Sequence, residues 1–165
     1  MKYHNDTIRR QNRLLDEASA IRLLREGEYG FLAMQAEQGG GYGIPLSYVW
    51  NGTDSIYLHG APEGRKLRCL DLCDRITFCI VGHTRLLPGQ FSTEYESILL
   101  TGTACTDLDT EEKNESTGTD RRQIRSPAQR KRNEICLFFC FRTDDHSPRH
   151  QCVVGQMQTC IQTGR

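Results

Sequence analysis

Apolar positions recur along this chain in two rhythms. Between Asp16 and Glu26 they fall at Ala20, Ile21, Leu23 and Leu24, a helical stripe with Asp16 as its N-cap and Gly27 as its stop. From Tyr29 the pattern turns to strands: Tyr29 to Ala36, a loop at Gly39-Gly40-Gly41, and Tyr42 to Trp50. Asn51-Gly52 then supplies a hairpin turn into Ser55 to His59. Pro62 to Leu72 reads as a second helix, with Leu67, Leu70 and Leu72 apolar and Glu63 in the first turn. Arg75 to Val81 and Glu94 to Thr106 are two further strands, the latter with Gly102 as a bulge position, and Asp109 to Glu112 starts another helix. Helix, three strands, helix, two strands fits a small antiparallel barrel, because a parallel sheet would need helical crossovers. The expected core comprises Phe31, Leu32, Val49, Ile56, Phe78, Ile80, Ile98 and Leu100.

The rhythm stops near Lys113, dividing the chain into a barrel domain, residues 1–113, and an atypical segment, residues 114–165. From Asn114 onward there are eight arginines and one lysine, and Ile124 is the only large aliphatic residue between Asn114 and Asn133. Three readings stand: a disordered tail, a basic arm through Arg130-Lys131-Arg132, or a single-base frameshift in the gene near Lys113. For the third, permitted codons read one nucleotide later yield TKALGLIAGKYAP, then RHKEKGMKYAYSS, then LDINAWSGKCKH. That text has an amphipathic helix, an apolar strand and ordinary lysine usage.

Composition narrows the function classes. A length of 165 residues suits one domain with a real core, and 21 basic against 21 acidic side chains give no net charge. Zero net charge argues against a broadly basic nucleic-acid surface. No apolar run reaches the roughly 20 residues of a membrane span, and Met1 to Arg13 lacks the apolar region of a secretory signal, so a cytoplasmic location is expected. The eight cysteines are then expected as reduced thiols. Cys69 and Cys73 offer at most half a metal site, and Cys79 and Cys105 read as small hydrophobes in strands. No metal is expected.

The chemistry concentrates between Ile44 and Lys66. Gly64-Arg65-Lys66 opens the second helix, where free amides and the helix dipole attract a phosphate and two cations add charge. Gly60 and Gly64 allow close backbone approach, and Pro45, lacking an amide donor, belongs at an edge where neighbouring backbone groups can meet a planar ring. Blander readings accompany each residue. Arg65 and Lys66 read also as solvated charges, His59 as a structural residue ending its strand or as a proton exchanger near neutrality, and Tyr48 and Trp50 as core or interface aromatics. Ser97 reads also as a cross-strand partner.

The segment IPLSYVWNGTDSIYLHGAPEGRKLRCL, followed by ESILLTGTACTDLDTEEK, resembles the nitroimidazole-resistance group of the pyridoxamine 5'-phosphate oxidase-like FMN-binding superfamily. The likeness covers roughly Ile8 to Lys113. It implies a mainly β fold, an FMN-binding split β-barrel with short flanking helices, and a homodimer with FMN at the subunit interface. By that resemblance Pro45, Leu46, Ser47 and Tyr48 flank the isoalloxazine and ribityl parts, and His59, Gly60 and Ala61 line the same pocket. Arg65 and Lys66 hold the phosphate, Ser97 adds a hydroxyl, and His59 is the candidate catalytic residue. The family's C-terminal GKCK-like segment is missing in frame. The implied activity is reduction of a small-molecule acceptor such as a nitroimidazole, with reduced nicotinamide as a candidate donor. No Gly-x-Gly-x-x-Gly fingerprint is present, so nicotinamide would dock transiently. The alternatives are a binding protein for FMN or a related ligand without turnover, and a defective product of a frameshifted gene.

Overall fold

The computed structural model describes residues 2–3, 8–61, 63–106, 135–140 and 156–162, with the side chains of 2–3, 59, 135–140 and 156–162 outside the description. Its elements are β1 (Lys2–Tyr3), α1 (Glu17–Glu26), β2 (Tyr29–Gln35), β3 (Gly41–Trp50), β4 (Ser55–Gly60), α2 (Arg65–Leu72), β5 (Arg75–Leu87), β6 (Ser92–Cys105), β7 (Ile135–Cys140) and β8 (Gln156–Gln162). The strands form one curled, mostly antiparallel sheet in the order β1-β8-β6-β5-β2-β3-β4-β7, and β7 pairs back onto β6. That return closes β6, β5, β2, β3, β4 and β7 into a barrel, while β8 lies along the other end of β6, which therefore serves two neighbourhoods.

Helix α1 begins where Asp16 accepts hydrogen bonds from the Ser19 amide (2.8 Å) and hydroxyl (2.9 Å), as its N-cap position predicts. These bonds hold the Asp16 carboxyl below its ordinary pKa. The helix buries Ala20, Leu23 and Leu24. Gly27 ends it, but with φ of −66° and not through a left-handed turn. A side chain there would run into the Tyr48 hydroxyl, so close approach is what the position requires. The core joins these residues to Leu32, Tyr48, Ile56, Leu58, Phe78, Ile80, Ile98 and Leu100. Burying such side chains supplies about 1.5–3 kcal/mol each.

Several expectations need correction. Phe31 is 49 % exposed on the outer face of β2, where its ring lies over Gly43. Strict alternation along β2 buries Gly30, Leu32 and Met34 and turns Phe31 outward. Asn51-Gly52 does not make a two-residue turn: the loop spans residues 51–54, and the Asn51 side-chain oxygen accepts from the amides of Thr53, Asp54 and Ser55 at 2.9–3.0 Å. Gly52 still supplies the left-handed φ of +87°. Helix α2 starts at Arg65 and not Pro62, which leaves Glu63 outside its first turn. Strand β5 runs six residues past Val81 to Leu87, and the irregularity lies between Gly82 and Arg85, with His83 at φ +47°, while Gly102 pairs in regular register with Ile76. Cys69 is buried, whereas Cys79 and Cys105, read as small hydrophobes, are partly exposed. The helix start predicted at Asp109 and the Arg130-Lys131-Arg132 run lie outside the described residues.

Candidate functional site

Strands β3 and β4 diverge. They pair only through Tyr48–Leu58, Val49–Tyr57 and Trp50–Ile56, after which β4 continues against β7, with His59 opposite Cys136 and Gly60 opposite Ile135. The first part of β3, Gly41 to Ser47, pairs with β2 alone among the described strands. Its other edge is therefore a row of backbone groups without a ladder partner, and Pro45 sits in the middle of it. A proline is tolerated there because its missing N–H is not required by a neighbour.

Helix α2 begins next to this open edge. The Arg65 guanidinium stacks over the Tyr42 ring at 4.4 Å, which ties the helix start to the beginning of β3. Gly64, the N-cap, has φ of +124° and offers no side-chain cap to the first-turn amides. Lys66 is 9 % exposed, one of two polar residues buried among the described residues. No hydrogen bond or ion pair holds its ammonium among those residues. Burial pushes its pKa below the ordinary lysine value. A helix N-terminus without a side-chain cap, beside a largely buried lysine whose ammonium reaches solvent and has no counter-ion among the described residues, suits an anion.

The expected site residues divide into four groups. Arg65 and Lys66 stand together at the start of α2, close to Tyr42, which the sequence reasoning did not single out. Its signal was available in hindsight, as an aromatic at the start of the hairpin that leads into a basic helix start. Pro45 and Ser47 are exposed on the outer face of β3, whereas Leu46 points to the core and Tyr48 is buried. The Tyr48 ring packs edge-on against Phe78 at 5.4 Å, and desolvation pushes its phenol pKa up. The backbones of His59 and Gly60 occupy the β4 side of the divergence, and Ala61 follows, exposed. The His59 side chain lies outside the described residues. Ser97 stands apart on β6, opposite Val81, with β5 and β2 between it and β3.

The outer face also carries an apolar row. Tyr29 (62 % exposed), Phe31 and Val81 (54 %) lie on adjacent strands, flanked by Ser47 and Pro45 on one side and Ser97 and Leu99 on the other. Among the described residues no group of three or more metal-type ligands comes together, and no helix is long and apolar enough to cross a membrane.

A family model described as pyridoxamine 5'-phosphate oxidase matches residues 16–147. The chain belongs to this family. The matched span covers both helices, β2 to β7 and the divergence between β3 and β4. Among solved structures, the chain is similar to a candidate 5-nitroimidazole antibiotic resistance protein from Bacteroides thetaiotaomicron, with TM-score 0.66 and 19% identity over 90% of this chain and 86% of that one. It is also similar to a FAD-binding protein from Mesorhizobium loti, at TM-score 0.61 and 15% identity over 92% and 98% of the two chains. A FAD and heme binding protein from Mycobacterium smegmatis matches at TM-score 0.54 and 17% identity, over 74% and 65%. At these identities the likeness establishes the split-barrel fold. No curated protein sequence matches the chain.

Proposed function

We propose that this family member binds FMN, with the phosphate at the start of α2 and the ring system along the open edge of β3. The observation that carries this reading is Lys66, a largely buried side chain whose ammonium has no counter-ion among the described residues, beside a helix N-terminus with no side-chain cap. A phosphate there would pair the lysine, complete the helix cap and offset the cost of burying the charge. Arg65, already held over Tyr42, adds a second cation. Pro45 to Tyr48 provide backbone groups for the ring and ribityl chain, and His59, Gly60 and Ala61 form the opposite wall. The Bacteroides, Mesorhizobium and Mycobacterium proteins support the reading through the resistance function and the FAD binding that their descriptions carry.

Bound FMN would supply two-electron redox chemistry, and the protein would position it and exclude competing reactions. The activity we assign is transfer of electrons from reduced nicotinamide to a small acceptor such as a nitroimidazole, with His59 as the candidate proton exchanger and a cytoplasmic setting. The apolar outer row of Tyr29, Phe31 and Val81 suits contact with a second copy of the chain, which would bring Ser97 of one subunit towards the cofactor edge of the other. Titration with FMN, riboflavin and FAD tests the ligand. Tight binding of FMN and weak binding of riboflavin is expected, and equal binding of the two removes the phosphate site. Bleaching of the bound flavin by reduced nicotinamide separates the oxidoreductase from a carrier without turnover.

A further inference from the structure

The register of β5 and β6 points two cysteines at each other just beyond the paired residues of the two strands. Strands β5 and β6 pair Arg75 with Thr103 and Ile76 with Gly102. The ladder extends one residue further, because the Ala104 amide donates to the Asp74 carbonyl at 2.8 Å. That bond makes Arg75–Thr103 a pair without mutual hydrogen bonds, flanked by the bonded pairs on either side. Continued by one more residue, the same register sets Cys73 opposite Cys105. Cys73 has extended backbone angles, φ −151° and ψ 114°, which carry the strand direction back to the last turn of α2. Positions two apart share a face, so both cysteines lie on the side of Arg75 and Thr103. Opposed residues of this kind sit about 4.5 Å apart at Cα, within the range that a disulfide spans. Both residues are partly exposed, unlike Cys69 one turn earlier, which is fully buried.

We infer that Cys73 and Cys105 are a reversible dithiol–disulfide pair that fastens the C-terminal end of α2 to the end of β6. A low-molecular-weight disulfide of the glutathione type is the oxidant. One cysteine thiolate attacks a sulfur of that disulfide, forming a mixed disulfide and releasing one glutathione thiol. The second cysteine then attacks the protein-bound sulfur, closing the Cys73–Cys105 bond and releasing the other glutathione. Two electrons and two protons pass from the protein to the oxidant. The fastening closes a loop that contains all of β5 and most of β6, so oxidation restricts the unfolded chain and stabilises the fold.

The test is to treat the reduced full chain with oxidised glutathione, block remaining thiols, digest without reductant and analyse the peptides by mass spectrometry. The expected product is a linked peptide pair, two hydrogens lighter than its separate halves, with fragment ions placing the bond on Cys73 and Cys105. Dithiothreitol should abolish it. Oxidation should raise the melting temperature of the wild-type chain and leave that of Cys73→Ser and of Cys105→Ser unchanged. A bond carried by Cys69, or stable mixed disulfides with glutathione at Cys73 or Cys105, would overturn the assignment. So would a melting temperature that rises equally in the two serine variants.

Discussion

The Tyr48 hydroxyl donates to the Leu24 carbonyl at 2.8 Å, closing the C-terminal end of α1 from inside the barrel. One side chain thus links the strand that forms the open edge to the helix that covers the core, and Gly27 leaves the space for it.

Removing that hydroxyl should loosen the helix and leave the aromatic packing in place. Tyr48→Phe keeps the ring against Phe78 and is expected to cost about 1 kcal/mol in urea unfolding. The pH dependence has a definite sign. Burial raises the folded phenol above its ordinary value of 10.0. Above that pH the unfolded chain loses a proton that the folded one keeps, so Tyr48 makes stability fall as pH rises past 10. Tyr48→Phe should flatten that alkaline decline, and an unchanged decline would place its origin elsewhere.

Lys66 should behave in the opposite sense for stability and for binding. Its folded pKa lies below the unfolded value of 10.5, so the unfolded chain holds more protons between the two. Stability of the ligand-free protein therefore rises with pH through that window, and the burial cost is felt in full below it. Lys66→Met should stabilise the ligand-free protein slightly, by about 0.5–1 kcal/mol because the site stays partly hydrated. The same change should weaken FMN binding about tenfold to a hundredfold, the value of one charge-assisted hydrogen bond. Calorimetric unfolding and FMN titration of the two proteins check both arms. A variant that loses stability and retains affinity contradicts the site.

Gly30 should resist substitution far more than Gly41. A Cβ at Gly30 would run into the Phe78 ring, itself buried, and the Cys79 carbonyl. Gly30→Ala is expected to cost about 1–3 kcal/mol as overpacking. Gly41→Ala, which meets no atom within 4 Å, is the control and should be near neutral. Denaturant midpoints of the two variants decide it.

Much of the fold was legible because alternation and turn chemistry are local. The strands of the meander and both helices lie within a few residues of where periodicity places them, and Leu32, Val49, Ile56, Phe78, Ile80, Ile98 and Leu100 are buried as expected. Phe31 faces away from the core of its own chain because the period of two follows Leu32 and Met34. The length of β5 was hidden by its bulge, since His83-Thr84-Arg85 breaks the apolar alternation without ending the strand. At the site, the basic helix start could be read from Gly64-Arg65-Lys66. The divergence of β3 from β4 could not, because it depends on β4 turning to β7, a pairing between residues far apart in the chain.

The change of character after Lys113 has its own test. A single-base frameshift near that residue predicts a coding sequence whose next frame reads as an amphipathic helix, an apolar strand and an ending close to SGKCK. Sequencing the locus on both strands checks it, and codons incompatible with that text would dismiss it. Restoring the frame should raise the yield of folded protein, because the restored text has the regular apolar period of a helix and a strand.

The absorption spectrum of the purified protein, followed by release and chromatographic identification of any chromophore, tests the central claim most directly. The expected result is a yellow protein with flavin bands near saturation after FMN is added, and released material that runs as FMN. Well-folded protein that stays colourless and whose spectrum ignores added FMN would contradict it.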